Sequence, residues 1–212
     1  MRESCALIAA AVLSFAPTPM LRAAVQPLFS NEKVAVTLET LAPGESGPYG
    51  GERKCAVVFL TGESAEIQSP DGPKIKRVVN RGIVEEPATH EGIIINAGSS
   101  PLRFVRVEFL TAGGNQTWGM SGLPPNYKLI HENQYGRFYE IRIPAHGTEP
   151  QHTHHDRVVI CLSGAQLEHI LPDGHRQPST LKTDEVVWRA GQTHIGHNLG
   201  DTDLWVIAIE PK

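Results

Sequence analysis

The sequence lacks any cluster of basic residues. Its 19 Lys and Arg residues are scattered singly, 23 Asp and Glu residues outnumber them, and the formal net charge of the 212-residue chain is -4. Proteins that bind nucleic acid carry a basic patch or stripe. Nucleic acid is therefore not an expected partner. Disorder is not expected either, because 40% of the residues are hydrophobic and only 20% are charged, which suffices for one or two compact domains.

The N-terminal region lacks an apolar run long enough to cross a membrane. Residues 6–16 form a run of 11 residues that is apolar except for Ser14, whereas a membrane-spanning helix needs about 20. This shorter length is typical of the hydrophobic part of a secretory signal peptide. We therefore expect residues 1–24 to be a signal peptide, the protein to be periplasmic or secreted, and no stable membrane span. The alternative is an N-terminal helix that packs on the domain.

Cysteine is scarce, with three residues in the chain. Removal of a signal peptide would leave Cys55 and Cys161, which lie in the apolar runs "KCAVVFL" and "VVICL". Cysteines in such runs are typical of buried free thiols. We therefore expect two buried thiols and no disulfide.

Helical periodicity is absent after residue 30, where short runs of strand-forming residues alternate with Pro, Gly, Asn and Asp at intervals of about 8–12 residues. In the first half these runs cover residues 34–41, 55–60, 93–96 and 104–110. In the second half they cover residues 138–143, 157–162, 167–171, 184–188 and 204–210. The pattern predicts an all-β protein.

The two halves of the sequence repeat at an offset of 102 residues. Matched pairs at this offset include Asn31 and Asn133, Gly62 and Gly164, Asn96 and Asn198, and Glu108 and Glu210. Such a repeat predicts two similar β units, which we place at residues 25–110 and 128–212, with the Gly- and Pro-rich residues 111–127 as a linker. Units of this size and composition are typical of small barrels or jelly rolls.

The second half resembles the cupin family in two motifs that cover about 65 residues. Gly147, His152, His154 and Gly164 match the first motif, a glycine followed by His-x-His and a closing glycine. The stretch "GQTHIGHN", residues 191–198, matches the second motif, Gly-x-x-His-x-x-x-Asn. The first half matches the same frame without the histidines. The chain thus resembles a bicupin, with two jelly-roll β-barrel repeats, of which the N-terminal one is degenerate and the C-terminal one is of the metal-binding type.

The three motif histidines are candidate metal ligands. His152 and His154 are two residues apart on a predicted strand, so their side chains point the same way. His194, from a neighbouring strand, completes the set that the resemblance implies. Imidazoles bind Fe, Mn, Ni, Zn and Cu, so we expect one divalent transition metal ion whose identity the sequence does not distinguish. The alternative is a polar loop ahead of a buried strand.

The sequence departs from the family pattern where most cupins carry a glutamate ligand. Arg157 occupies this position, and Asp156 precedes it. Either Asp156 serves as a fourth ligand, or the site is of the three-histidine type found in some cupin dioxygenases. Arg157 is a candidate for binding a substrate carboxylate, because its planar guanidinium suits such anions. The alternative is a surface arginine paired with an acidic neighbour.

Other histidines are not expected to bind the metal. His155 and His197 adjoin the candidate ligands and are candidates for supporting them. His169 is one of several isolated histidines that we expect to lie away from the metal. The degenerate first repeat is expected to cover sheet edges of the second, or to hold a metal-free pocket.

Two classes of function remain open at this point. The resemblance implies a mononuclear metal-dependent dioxygenase acting on a small organic molecule, and an isomerase or lyase would use the same ligands. The other class is a non-catalytic protein that binds a small ligand or a metal. A homodimer also remains open, although two repeats in one chain can provide the barrel pairing that single cupins obtain by dimerising.

Overall fold

All the regular structure that the computed structural model describes is β-strand. It describes residues 23–50, 53–70, 72–87, 92–111, 113 and 124–212, which form 18 strands. The all-β prediction is confirmed. Within these ranges, no helix has the length and hydrophobicity that a membrane span requires. The predicted signal peptide, apart from its last two residues, and most of the predicted linker lie outside the described residues.

The strands fall into two series of nine. The first series is β1 (Ala24–Ser30), β2 (Val34–Leu41), β3 (Ser46–Pro48), β4 (Cys55–Phe59), β5 (Glu63–Gln68), β6 (Lys74–Val79), β7 (Val84–Glu85), β8 (Ile93–Asn96) and β9 (Leu102–Phe109). The second series is β10 (Tyr127–Glu132), β11 (Gly136–Ile143), β12 (His152–His154), β13 (Arg157–Ser163), β14 (Ala165–Ile170), β15 (Arg176–Leu181), β16 (Val186–Arg189), β17 (Gln192–Asn198) and β18 (Leu204–Pro211).

Each series forms two antiparallel sheets with the same strand order. The first series forms a five-stranded sheet, β1-β2-β9-β4-β7, and a four-stranded sheet, β3-β8-β5-β6. The second series forms the equivalent sheets, β10-β11-β18-β13-β16 and β12-β17-β14-β15. The two sheets of a series enclose an apolar core, which is the jelly-roll arrangement. We call the two units the first barrel and the second barrel.

The repeated asparagines make the same turn contacts in both barrels. Asn96 donates its side-chain N–H groups to the carbonyls of Leu41 and Ser100, both at 2.8 Å. Asn198 makes the matching contacts with Ile143 at 3.2 Å and Thr202 at 2.8 Å. A short amide side chain can satisfy backbone groups that a turn leaves without partners. The sequence repeat therefore reflects turns that both barrels need.

Three apolar cores hold the molecule together. One lies inside the first barrel around Phe59 and Phe104, and one lies inside the second around Val159 and Leu167. The third core is shared, because residues of both five-stranded sheets, among them Val58, Val107, Phe138, Ile160 and Ile209, pack into one buried cluster. The first barrel thus covers a face of the second barrel's sheet, whereas the sequence had suggested that it covers sheet edges.

Polar contacts reinforce this shared interface. Arg81 of the first barrel donates to the Leu162 carbonyl at 2.6 Å and to Asp184 at 2.6 Å, both in the second barrel. Arg103 donates to the other carboxylate oxygen of Asp184 at 2.5 Å. The positive charges of both arginines outweigh the effect of burial and lower the pKa of Asp184. The two barrels are therefore joined by an apolar core and by a carboxylate that two arginines share.

Substitution of Gly82 by alanine is expected to weaken the contact between the barrels. Gly82 has a φ of +82°, and an added Cβ would lie 2.4 Å from the Trp205 ring and 2.9 Å from Leu162. The left-handed backbone costs about 1 kcal/mol, and overpacking adds about 1–3 kcal/mol. We expect the free energy of unfolding, measured in urea, to fall by about 2–4 kcal/mol.

Gly174→Ala is the matched control for this prediction. Gly174 has a φ of +85°, but no atom lies within 4 Å of the added Cβ. The free energy of unfolding of this variant should fall only by the backbone contribution, about 1 kcal/mol. Equal losses of the free energy of unfolding in the two variants would show that the contact with the Trp205 ring does not contribute.

Both described cysteines, Cys55 and Cys161, are buried and free, as the sequence predicted. Burial raises the pKa of the Cys161 thiol to about 11. A neutral thiol is a poor nucleophile and a poor metal ligand. Cys161 therefore packs as an apolar residue in the core of the second barrel.

Candidate metal site

The three motif histidines converge inside the second barrel. His152 and His154 lie on β12, and His152 is directly opposite His194 of β17 in the strand register. All three are buried, and their candidate donor atoms lie within 4.8 Å of one another. Strand alternation places Thr153, between the first two, on the exposed side. The pairing of β12 with β17 thus assembles a histidine triad from the two sequence motifs.

Hydrogen bonding orients the His152 ring for metal binding. Its Nδ1 lies 2.8 Å from the Pro150 carbonyl, so Nδ1 carries the proton and donates it there. Its Nε2 is then left with a lone pair and lies 2.8 Å from Nε2 of His154. In metal sites, a hydrogen bond made by the other ring nitrogen fixes the tautomer of a histidine ligand in this way.

The electrostatics of the triad favour neutral imidazoles. Burial lowers the pKa of both His152 and His154 below the ordinary value, and the positive charge of Arg157 adds to this effect at His154. Metals bind imidazole in its neutral form. His152 and His154 therefore present lone pairs, rather than positive charges, at physiological pH.

Glu149 is a carboxylate at this site that the sequence reasoning missed. Its Oε1 lies 3.6 Å from Nε2 of both His152 and His194, and its side chain is 4% exposed. Burial opposes ionisation, but the interactions with His194, His152 and Asn126 outweigh it and lower the pKa of Glu149. Asn126 donates to Oε2 at 2.8 Å. An ionised carboxylate therefore faces two of the three imidazoles.

Glu149 approaches the triad from a different part of the chain than expected. The family motif predicts a carboxylate after His154, whereas Glu149 lies three residues before His152. The available signal was that Glu149 is the one acidic residue between the motif residues Gly147 and His152. The direction of its side chain could not be predicted from strand alternation, because Glu149 lies in the irregular stretch before β12.

Asp156 is not brought to the triad. Its Oδ1 accepts a hydrogen bond from the Gly191 N–H at 2.8 Å, and its Oδ2 lies 3.7 Å from Nζ of Lys33. Its side chain is 40% exposed. The chain leaves β12 at His154, so Asp156 lies in the connection before β13 and links it to Gly191, in the connection between β16 and β17. The structure thus places Glu149, and not Asp156, beside the Nε2 atoms of His152 and His194. A second buried carboxylate, Glu210, lies on the other side of the triad, with its Oε1 3.7 Å from Nδ1 of His154.

Tyr127 is a second site residue that the sequence reasoning missed. Its hydroxyl oxygen lies 2.9 Å from Nε2 of His152 and 2.9 Å from Nε2 of His154. Burial, followed by the negative charge of Glu149, raises the pKa of Tyr127 well above the usual value. Tyr127 therefore remains a neutral hydroxyl. No sequence signal marked it, because it was the last residue of the predicted linker.

The remaining histidines take different positions. His169 stacks on His194, with ring centroids 4.3 Å apart and planes 19° from parallel, although the sequence suggested that it was isolated. Burial, then the proximity of His194, lowers the pKa of His169 to about 4. His155 is exposed and donates its backbone N–H to Glu210 at 3.3 Å. His197 is half-buried on β17.

A small cavity of about 50 Å³ adjoins the triad. Its polar lining includes His154, His194, Glu149 and Tyr127, together with Arg157 and Arg189. Its apolar wall is formed by residues that include Ile141, Val159, Leu167 and Leu204. The side chain of Arg157 is therefore directed to the barrel interior, next to the candidate metal ligands, and is 6% exposed. A buried polar end and an apolar wall are typical of small-molecule sites.

Solved structures with a similar fold cover nearly the whole chain. A cupin 2 conserved barrel domain protein from Leptotrichia buccalis has a TM-score of 0.61 at 12% identity, covering 93% of this chain and 92% of that one. AerE from Microcystis aeruginosa has a TM-score of 0.59 at 13% identity, covering 90% and 98%.

A variant of Bacillus subtilis oxalate decarboxylase has a TM-score of 0.55 at 14% identity, covering 84% of this chain and 69% of that one. No protein-family model and no curated protein sequence matches the chain. At these identities the likeness concerns the fold. This chain therefore has the cupin fold, built as two jelly-roll β-barrels, with a buried histidine triad suited to metal binding in the second.

Proposed function

We propose that the second barrel is the site of a mononuclear metal-dependent enzyme, of the dioxygenase type, that acts on a small organic molecule. The observation that supports this proposal is the convergence of three buried imidazoles and one buried carboxylate at the edge of a cavity. Buried polar groups normally satisfy one another by hydrogen bonding. Here, imidazole lone pairs face each other and a carboxylate, so the groups present acceptors without matching donors. Such an arrangement suits a cation bound between them.

The donor set fits a divalent transition metal ion. His152, His154 and His194 would supply nitrogen ligands, and Glu149 would supply an oxygen ligand. When bound, such an ion supplies Lewis acidity and open coordination positions for a small molecule and for dioxygen. Fe, Mn, Ni, Zn and Cu all accept this donor set.

The other residues of the cavity have separate roles in this proposal. Tyr127, as a neutral hydroxyl, donates a hydrogen bond toward the space between the imidazoles. Arg157 orients a small molecule through its guanidinium group. The apolar wall excludes water, which strengthens electrostatic interactions inside the cavity. The roles of these residues follow from their positions around one cavity.

We also propose that the first barrel is a degenerate repeat without a metal. At the 102-residue offset, Gly50 and Gly92 take the places of His152 and His194, so two of the imidazole ligands have no counterpart. The domain division at residues 25–110, 111–127 and 128–212 belongs to the same proposal. Secretion, the signal peptide and a homodimer remain predictions.

Oxygen uptake after anaerobic Fe(II) loading tests the proposed activity. We expect the loaded protein to consume O2 when supplied with one member of a panel of small organic molecules, and not without it. Uptake that is absent across the panel, or independent of the added molecule, would argue for a non-catalytic binding protein.

The Fe(II) affinity of a Glu149→Gln variant, measured by anaerobic titration, tests the fourth ligand. Glutamine keeps the size of the side chain but loses its charge, so we expect Fe(II) to bind about tenfold or more weakly. Glu168→Gln is the control, because Glu168 lies in the second barrel but pairs with Arg176 at the surface. Equal Fe(II) affinity in the two variants would exclude Glu149 as a ligand.

A further inference from the structure

Arg157 is a buried cation with few partners. Its Nη1 donates to the carbonyls of His155 at 3.3 Å and Ala190 at 3.4 Å, which are both long. Among the described residues, its Nε and Nη2 make no hydrogen bond, and no carboxylate forms an ion pair with it. The carboxylates of Glu210 and Glu149 interact with it electrostatically, but neither forms an ion pair with it. A buried charge without a partner is costly.

The first barrel shows how this chain satisfies a buried arginine when no ligand is involved. Arg106 donates to both carboxylate oxygens of Glu39. It also donates to the carbonyls of Pro48, Tyr49 and Gly50. Arg106 is therefore saturated by its own barrel. Arg157, which is equally buried, has neither an ion pair nor a full set of acceptors in the described structure.

A second arginine lies beside Arg157. Arg189 of β16 is its direct partner in the strand register, and both line the cavity. Like charges directly opposite each other on neighbouring strands destabilise a sheet. Arg189 donates to the Ser179 hydroxyl at 3.3 Å, a neutral partner that does not offset its charge. The presence of two arginines, partners in the strand register, in the lining of one small cavity is explained if an anion binds between them.

We propose that the ligand of this cavity is a small organic acid, with its carboxylate bound by Arg157 and Arg189 and its remaining atoms directed to the histidine triad. The guanidinium group binds carboxylates through two parallel hydrogen bonds. The cavity volume of about 50 Å³ limits the acid to a few non-hydrogen atoms. This inference deepens the proposed function, since it names the substrate class of the same site.

Titration with acetate and with its neutral analogue acetamide tests the inference. Ligand-observed NMR on the full-length protein, both metal-free and metal-loaded, gives the two affinities. We expect acetate to bind in both forms and acetamide to bind at least about tenfold more weakly, because the charge-assisted hydrogen bonds are lost. Equal binding of the two probes, or no binding of acetate, would overturn the inference.

Arginine variants identify the residues responsible. Arg157→Met and Arg189→Met should each weaken acetate binding by about tenfold or more, and Arg157→Lys should restore only part of it, because lysine lacks the planar fork. Arg176→Met is the matched control, since Arg176 is exposed and pairs with Glu168. Wild-type acetate affinity in Arg157→Met would overturn the inference. If Arg157→Met does not fold, Arg189→Met and the two probes on the wild-type protein decide.

The metal content of each sample separates this inference from the proposed function. Arginine-dependent acetate binding in a protein that takes up no metal would support the anion site and contradict the metal centre. Metal uptake without preference for acetate would contradict the anion site and leave the metal centre in place.

Discussion

Replacement of His152 and His194 together by alanine is expected to abolish metal binding. We expect the purified wild-type protein to hold about one equivalent of a transition metal by elemental analysis, and the double variant to hold essentially none. The physical reason is the register, which places these two imidazoles opposite each other on β12 and β17. Their removal leaves His154 and Glu149, which are too few donors for tight binding.

The control for the histidine variant is His175→Ala. His175 is exposed in the hairpin between β14 and β15, and its hydrogen bonds there are made by its backbone: its N–H donates to Asp173 and its carbonyl accepts from the Leu171 N–H. It should retain the full metal content. Metal in the double variant at the wild-type level would place the ion elsewhere. No metal in the wild-type protein, even after reconstitution, would contradict the proposed enzyme and leave a metal-free binding protein.

Substitution of Glu39 by alanine is expected to have the largest effect on stability. Glu39 is 2% exposed and forms a buried ion pair with Arg106, which is 5% exposed. Loss of one partner leaves the other charge buried without compensation, which costs about 3–5 kcal/mol. We expect a loss of this size in the free energy of unfolding, measured by urea denaturation.

Two further variants sharpen the Glu39 prediction. Glu140→Ala breaks the exposed pair with Arg142 and should cost no more than about 1 kcal/mol. The double variant Glu39→Leu with Arg106→Met should recover part of the loss, because no uncompensated charge remains. A loss below about 1 kcal/mol in Glu39→Ala would show that water or another group solvates Arg106.

The Glu39–Arg106 pair also explains why the first barrel differs from the second. At the 102-residue offset, Glu39 corresponds to Ile141, which lines the cavity of the second barrel. Arg106 donates to the carbonyl of Gly50, the residue that takes the place of His152. A guanidinium group therefore lies where the second barrel has its polar centre. The interior of the first barrel thus holds a cation that its own carboxylate and carbonyl groups bind, which supports the proposal that this barrel is a degenerate repeat.

Much of the fold could be predicted from the sequence. The predicted runs at residues 34–41 and 93–96 match β2 and β8 residue for residue. These strands are rich in β-branched residues and contribute to the cores, so their composition is distinctive. The strands that were missed include β6, β10 and β15 at sheet edges, and the polar strand β5 inside a sheet. Edge strands are mostly exposed and carry Lys, Arg, Gln or Pro, so their composition resembles that of loops.

The site could be predicted only in part, for a similar reason. His152 and His154 share a face because of strand alternation, which is a local property. The juxtaposition with His194 followed from the motif resemblance. Glu149 and Tyr127 come from an irregular segment and from a strand at the edge of the other sheet, so neither spacing nor alternation related them to the histidines. The pair of Arg157 and Arg189 likewise depends on the register of β13 and β16.

The sequence alone determined the class of the fold, the 102-residue repeat and the three histidines, because these depend on local periodicity, turn chemistry and short motifs. The tertiary structure decided which carboxylates lie next to the imidazoles, and Asp156 is not among them. It also decided that the two barrels share a core through their sheet faces. These features depend on strand register and on the packing of distant segments, which bring together side chains that no local pattern connects.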